Sequence, residues 1–345
     1  MERHWRPDKG ERKLVWRKLI IACTALLVLA AAIYFVGQKL ESGSEAAQSR
    51  GDLSDRFTET PAIEYNGVLY RPYEKLTTVL VMGVDHYTSD EEQGTPYRNG
   101  GQSDYLMLLV INEETATVTP IQIDRDTMAE ITIISVLGNK TGTRTAQICL
   151  SHGFGDGREQ SCLLTEEAVS NLLLGVPIQF YFALDLKGIS VLNDFMGGVT
   201  VTLQDDFTSL DPTMARGRTL TLRGIQAEYF VRNRLNIGIG TNESRMVRQQ
   251  AYMDGLSGLV TQRLASEGSA DFVGSMFDQL QDYLLTDMKR GRMINEVWAS
   301  RDYQRLGTLH PKGTYATGSD GFVEFHADPD ALEALVFKVF YRPVS

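Results

Sequence analysis

The chain has 345 residues, of which 43% are hydrophobic and 23% charged, a composition typical of a globular protein. Its 34 Lys and Arg against 44 Asp and Glu give a formal net charge of −10, with +5 on the first 40 residues and −15 on the rest. So acidic a main part excludes a general nucleic-acid-binding protein, because such proteins need a broad basic face to displace phosphate counterions.

An apolar segment follows the short basic head of residues 1–18. Residues 19–36 read LIIACTALLVLAAAIYFV, an uncharged run about as long as the shortest helix that crosses a bilayer. The run continues beyond its three consecutive alanines, which favours an uncleaved signal-anchor over a cleaved signal peptide. The positive-inside rule keeps the basic head in the cytoplasm. We therefore expect a single-pass protein of the cell membrane whose main part lies on the outer face.

Residues 37–64 are polar and aperiodic, as in a flexible extracellular linker, whereas residues 65–345 have the pattern of one globular domain. Apolar runs of strand length occupy Thr77–Val84, Tyr105–Asn112, Thr117–Ile123, Ile178–Leu184 and Val199–Leu203. Helical spacing occurs at Glu166–Leu174, Leu186–Met196, Ser244–Arg263 and Asp271–Tyr283. Strands interleaved with helices predict an α/β sandwich.

Two cysteines, Cys149 and Cys162, flank a glycine-rich loop. An oxidising extracellular compartment permits a disulfide between them, and two free buried thiols are the alternative. The chain has no C-x-x-C pair, and its five histidines lack the spacing of metal ligands. The sequence therefore argues against a zinc site.

Three charged residues stand at the ends of the first three predicted strands: Asp85, Asp104 and Arg125. If a hairpin pairs residue 112 with residue 117, it also places Asp104 beside Arg125. A first strand antiparallel to the second would bring Asp85 to the same edge. Polar residues at strand ends can simply face water, but three at one edge favour a site.

A group of arginines follows in the second half of the chain. Arg232 and Arg234 would share one face of an extended segment, and Arg245, Arg248 and Gln249 would share one face of a helix. A solvated helix face is the alternative. The exclusive use of Arg in an acidic domain favours a phosphate or pyrophosphate ligand, which the guanidinium fork binds bidentately. Nearby carboxylates would suit a hard cation such as Mg²⁺ bound to those phosphates.

Several motifs in a fixed order then resemble the LytR-CpsA-Psr family of bacterial cell-wall enzymes: VLVMGVD, GGQSDYLMLLVIN, TPIQIDRDTM, FMGGVTV, YFVRNR and SRMVRQQ. The resemblance implies a central mixed β-sheet sandwiched by helices, with an apolar pocket for a polyprenyl chain and a polar mouth for its pyrophosphate. It implies a membrane-anchored phosphotransferase that moves a glycopolymer, such as a teichoic acid or capsular polysaccharide, from a polyprenyl-pyrophosphate carrier onto peptidoglycan.

The resemblance also implies roles for individual residues. Asp85 and Asp104 would hold Mg²⁺ or Mn²⁺, and Asp104 would take the proton of the attacking hydroxyl. The implied pyrophosphate-binding residues are Arg125, Arg232, Arg234, Arg245, Arg248 and Gln249. The implied catalytic set is Asp85, Asp104, Arg125 and Arg245.

Two residues depart from the family pattern. Gln102 replaces an Arg that commonly precedes Ser-Asp, and Asp124 replaces a Pro that commonly precedes Arg-Asp. We expect these changes to make the site less favourable to phosphate, unless Arg98 compensates. They leave open a different polymer, reduced activity, or a lipid-binding regulatory protein. A pyrophosphatase acting on the same lipid is a further alternative.

Overall fold

The computed structural model describes residues 62–344 except 86–100, 136, 234–236, 239 and 268, and between 290 and 302 it describes only 292, 296, 299 and 300. The predicted head, the predicted anchor at 19–36 and nearly all of the linker lie outside the described residues, as do Arg98 and Arg234. Among the described residues, no helix combines the length and the apolar character needed to cross a bilayer.

The strands, in chain order, are β1 Ile63–Tyr65, β2 Val68–Pro72, β3 Leu76–Val84, β4 Ser103–Asn112, β5 Thr117–Ile123, β6 Met128–Ile134, β7 Lys140–Gln147, β8 Phe180–Asp185, β9 Thr200–Thr202, β10 Thr219–Thr221, β11 Leu284–Thr286, β12 Gln304–Arg305, β13 Gly313–Thr317, β14 Val323–Ala327 and β15 Tyr341–Pro343. The helices are α1 Leu150–Gly153, α2 Glu159–Leu172, α3 Leu186–Phe195, α4 Ile225–Arg232, α5 Asn242–Glu267, α6 Ser269–Leu280 and α7 Pro329–Phe340.

The central sheet has six strands in the order β11-β8-β3-β4-β5-β12. It is mixed, because β3, β4 and β5 pair antiparallel whereas β8 runs parallel to β3 and β12 parallel to β5. Nearly every residue of β3 is buried, which fits an apolar strand covered on both faces. The predicted mixed sheet is therefore confirmed.

Helices cover both faces of this sheet, so the predicted sandwich is also confirmed. On one face Val79 and Val81 of β3 join a core cluster that includes residues of α3, α4, α5 and α6. On the other face Leu80 and Met82 join a cluster with α2 and α7. This alternation follows from the two-residue period of a strand. The helix predicted at 166–174 begins earlier, at Glu159, and ends at Leu172, and the helix predicted at 244–263 extends further at both ends, from Asn242 to Glu267.

The predicted strand register is confirmed. Asn112 pairs with Thr117 across the β4–β5 turn, and Leu76 at the start of β3 pairs with the same Asn112. At the other end of these strands, a bulge after Gly83 pairs Val84 with Ser103. The ends of β3 and β5 and the start of β4 therefore meet at one edge of the sheet.

Candidate active site

Asp104 lies at the centre of this edge and contacts two arginines from different elements. Arg125, which follows β5, donates from Nη1 to Asp104 Oδ1. Arg245, in the first turns of α5, places Nη1 3.4 Å from Asp104 Oδ2. The structure thus brings Asp104 together with Arg125, which is 21 residues away in the chain, and with Arg245, which is 141 residues away.

Asp85 is held at the same edge by backbone hydrogen bonds. The Gln102 N–H donates to Asp85 Oδ1 at 2.6 Å, and the Asp85 N–H donates to the Gln102 carbonyl at 3.1 Å. The side-chain oxygen of Gln102 accepts from Nη2 of Arg125. Gln102 therefore orients two of the predicted site residues, although it lacks the charge of the arginine common in the family.

Arg245 is 2% exposed, and a polar chain behind it fixes its guanidinium. Asn242 Oδ1 accepts from Arg245 Nη2, and Asn242 Nδ2 donates to Asp124 Oδ1 at 2.6 Å. The other oxygen of Asp124 accepts from the Tyr315 hydroxyl. The Asp124 carboxylate thus supports Arg245 through Asn242.

A pocket opens beside these residues, between the sheet and helices α3, α4 and α5. Along α5 its wall begins with Arg245 and Gln249 and continues with Tyr252, Met253 and Leu256. The pocket is therefore polar at one end and apolar at the other. Its lining is completed by Val81, Met82, Gly83, Asp104, Tyr105, Phe182, Leu184, Leu186, Ile189, Leu192, Val231, Arg232 and Leu284. Such a pocket suits an alkyl chain that carries an anionic head group.

Arg232 lines the pocket, but the extended segment expected for it is wrong. It is the last residue of helix α4, where Ala227, Phe230 and Val231 are buried at helical spacing. Arg232 Nη1 lies 3.0 Å from Glu228 Oε1 one turn earlier, and its side chain remains 43% exposed. Its cation is available to a ligand at the pocket rim.

Arg248 does not line the pocket with Arg245 and Gln249. Its Nη1 lies 2.7 Å from Asp205 Oδ2, its Nε donates to the Phe230 carbonyl at 3.1 Å, and its Nη2 donates to the Asn233 carbonyl. Burial lowers the pKa of Arg248, although Asp205 opposes this shift. The contacts assign Arg248 a structural role joining α5 to the end of α4.

The carboxylates at this edge of the sheet suit a Mg²⁺ ion that takes its other ligands from water and substrate phosphates. In the described part of the chain, no group of three or more His, Cys, Asp or Glu could hold a metal. Asp85 keeps one carboxylate oxygen outside its hydrogen bond with Gln102, and Asp104 shares its oxygens with two arginines. Mg²⁺ commonly binds one or two carboxylates and completes its coordination with water and substrate phosphates, so these donors suit a metal that arrives with a phosphorylated substrate.

The structure has Cys149 and Cys162 as free, buried thiols, the second of the two alternatives. Cys149 lies 3.2 Å from Nη2 of Arg125 and so contacts the site. Burial raises the pKa of Cys149 to about 12, although Arg125 acts in the opposite direction. Burial also raises the pKa of Cys162.

We predict that neither thiol reacts with iodoacetamide at pH 8 in the folded protein, because each stays protonated and shielded, and that both react in urea. Trypsin cleaves after Arg158, between the two cysteines, so peptide mapping gives a direct readout. A disulfide-linked peptide pair that disappears on reduction would contradict this prediction.

Comparison with known proteins identifies the family of the chain. The LytR_cpsA_psr family profile matches residues 34–333. The chain belongs to this family. Two teichoic acid transferases named TagU are similar to it, each a polyisoprenyl-teichoic acid–peptidoglycan teichoic acid transferase by name. The Bacillus subtilis strain 168 protein is 24% identical over 334 residues, 95% of each chain. The Bacillus cereus strain AH820 protein is 27% identical over 218 residues, 63% of this chain but only 62% of its own length.

Among solved structures, TagT bound to LIIa-WTA shares the LytR-CpsA-Psr fold with this chain. The TM-score is 0.56 at 17% identity, with 82% of this chain and 96% of TagT covered. At this identity the likeness concerns the fold, and it supports the mixed sheet between two helical layers described above.

Sequence reasoning missed the part that Asn242 plays in this LytR-CpsA-Psr site. Asn242 and Arg245 are three residues apart, so they occupy neighbouring positions on the surface of α5. This spacing was the one feature of the sequence that could have indicated their contact. Thr241, directly before α5, caps this helix by accepting from the Ser244 N–H at 3.2 Å. Tyr252 and Tyr105, which line the pocket, carried no signal that separated them from core residues.

Proposed function

We propose that this protein is a membrane-anchored phosphotransferase that moves a glycopolymer from a polyprenyl-pyrophosphate carrier onto peptidoglycan at the outer face of the cell membrane. The observation that carries the proposal is the pocket whose apolar end leads to Arg232, Arg245 and Gln249 beside Asp104. The names of the related TagU proteins, which are teichoic acid transferases, support it. A signal-anchor at residues 19–36 would hold the domain near its lipid substrate.

In the proposed complex, the apolar wall of the pocket binds the polyprenyl chain and keeps water from it. Arg232 and Arg245 bind the pyrophosphate oxygens at the polar end, and Arg125 reaches them from the sheet edge. These cations stabilise the negative charge that develops as the phosphoryl group is transferred, and the low dielectric around Arg245 strengthens that effect. The site therefore acts mainly by positioning and electrostatics.

The transfer step requires one proton acceptor. The peptidoglycan hydroxyl attacks the phosphorus that carries the polymer, the bond to the polyprenyl phosphate breaks, and the hydroxyl proton passes to a carboxylate. Asp104 is the carboxylate that contacts both Arg125 and Arg245, and binding of pyrophosphate to these two arginines would release its oxygens for this role. The products are a phosphodiester on peptidoglycan and a polyprenyl phosphate.

Asp85 and Asp104 would hold Mg²⁺ or Mn²⁺ together with the pyrophosphate. When bound, the ion supplies charge neutralisation to the pyrophosphate and its leaving group. The backbone hydrogen bonds between Asp85 and Gln102 keep that carboxylate at the sheet edge in readiness for such a ligand.

The test is reconstitution of the full chain in detergent with a polyprenyl-pyrophosphate-linked glycopolymer, un-crosslinked peptidoglycan and Mg²⁺. We expect polymer joined to peptidoglycan by a phosphodiester, and we expect the product to disappear with EDTA and return with added Mg²⁺. Release of free phosphorylated polymer would indicate a pyrophosphatase. Retention of the lipid without any product would indicate the regulatory alternative and would contradict the proposal.

A further inference from the structure

A second concavity lies on the other face of helix α5. This outer groove is bounded by the end of β5, the outward face of α5 and the β13–β14 hairpin. Arg245, Gln249 and Tyr252 line the apolar pocket, whereas Glu243, Met246 and Gln250 line the groove. Helical periodicity places these two sets on different faces of α5. The outer groove is thus separate from the pocket proposed for the lipid.

Gln122 contributes an amide side chain to the lining of the outer groove. It is 2% exposed and lines the groove. Its backbone N–H donates to the Leu309 carbonyl, but within the part of the chain that the structure describes its side-chain amide makes no hydrogen bond. The oxygen of this amide can accept a hydrogen bond from a ligand in the groove, and its NH₂ group can donate one. Gln122 therefore points to a polar ligand in the groove.

The charge of the outer groove decides which ligand it suits. Asp124, Glu243 and Asp254 contribute carboxylates, against the single ammonium of Lys312. Such a wall repels a polyanion, including a phosphate-rich glycopolymer. Carboxylate and amide oxygens instead accept hydrogen bonds from hydroxyl and N-acetyl groups.

An exposed aromatic ring completes the outer groove. Tyr315 is 47% exposed, and it packs on Phe325 with a centroid distance of 5.0 Å. Phe325 fixes the Tyr315 ring from one side. The remaining surface of the Tyr315 ring faces the outer groove. A rigid aromatic surface beside a few polar groups is a common form of small-ligand and sugar-binding site.

The outer groove is physically connected to the proposed active site. Asp124, which lines it, hydrogen-bonds Asn242, and Asn242 hydrogen-bonds Arg245. We propose that the outer groove binds a neutral, hydroxyl-rich glycan and serves as the acceptor subsite. This assignment rests on the proposed transferase function and deepens it, because the donor lipid and the acceptor strand would approach Arg245 from two faces of one helix.

The test measures binding of N-acetylchitotetraose, a neutral glycan probe, to the full chain in detergent by isothermal titration calorimetry. We expect Gln122→Ala to weaken binding about fivefold, as for loss of one net hydrogen bond, and Tyr315→Ala to weaken it about tenfold or more. Tyr315→Phe keeps the ring and should bind nearly as wild type does. Phe322→Ala, a change at an exposed residue of the same hairpin, is the matched control and should have no effect.

Thermal unfolding of each variant separates lost binding from lost folding. Polyglycerol phosphate, a polyanionic probe, should not bind the outer groove. The assignment would be overturned if folded Gln122→Ala and folded Tyr315→Ala both bind the glycan probe with wild-type affinity. It would also be overturned if the wild-type protein binds polyglycerol phosphate and these two variants do not. The two proposals fail differently: glycan binding without any transfer would contradict only the transferase function. Transfer at wild-type acceptor KM in Gln122→Ala and Tyr315→Ala would contradict only the acceptor subsite.

Discussion

Replacing Arg245 by alanine should lower glycopolymer transfer by about 100-fold to 1,000-fold, the usual loss when one preorganised donor to a developing anion is removed. Arg245 is buried, aimed at Asp104 and fixed from behind by Asn242, so no other side chain can take its place without moving. We expect most of the loss in kcat. Arg245→Lys should recover little, because an ammonium lacks the planar fork that contacts two oxygens at once.

The measurement is the rate of phosphodiester formation with saturating lipid donor, together with native mass spectrometry of bound polyprenyl pyrophosphate. Arg216→Ala removes an exposed arginine away from the pocket and serves as the control for loss of one positive charge. Circular dichroism should show that Arg245→Ala still folds, because Asp104 keeps Arg125 as a partner. Wild-type transfer in folded Arg245→Ala would remove Arg245 from the site.

Arg248→Ala should have the largest effect on stability, a loss of about 3–5 kcal/mol in the free energy of unfolding, as when a buried ion pair loses one partner. Arg248 is 2% exposed and contacts Asp205 together with two backbone carbonyls. Its guanidinium carbon also lies 5.5 Å from the centroid of the Phe207 ring. The substitution leaves these acceptors without a donor and opens a gap between α5 and α4.

Urea unfolding followed by circular dichroism measures this loss, again beside Arg216→Ala, which should change stability by less than about 1 kcal/mol, as is usual for exposed charges. The result also decides between the two roles considered for Arg248. A small change in stability combined with lost binding of polyprenyl pyrophosphate would return Arg248 to the pyrophosphate-binding set.

The four inner strands of the central sheet, β8, β3, β4 and β5, were predictable because they are apolar runs bounded by turns, whereas the short outer strands β11 and β12 were not predicted. The four-residue connection after Asn112 fixes the β4–β5 register, and a slip of one residue would turn every buried side chain outward. The β6–β7 and β13–β14 hairpins were not predicted. Most residues of β7 and all of β13 are exposed, so these strands lack the alternation of apolar and polar residues that identifies a half-buried strand.

The site was predictable where chain geometry alone brings residues together. Asp85, Asp104 and Arg125 meet because three strand ends share an edge, and Arg245 and Gln249 meet because they are four residues apart on a helix. Arg248 has similar spacing but turns toward Asp205. The direction of the Arg248 side chain depends on which element packs against each side of α5. Residue spacing alone does not determine that packing.

The pair of arginines on Asp104 has a consequence for the turnover cycle. In the free protein this carboxylate acts as a built-in competitor for the cations that would bind pyrophosphate. In the proposed cycle the lipid would displace it to bind, and after transfer the same carboxylate would recapture Arg125 and Arg245 as the polyprenyl phosphate departs. An internal anion of this kind weakens retention of spent carrier and of free inorganic phosphate. Under the proposed function it would therefore favour rapid regeneration of an empty site.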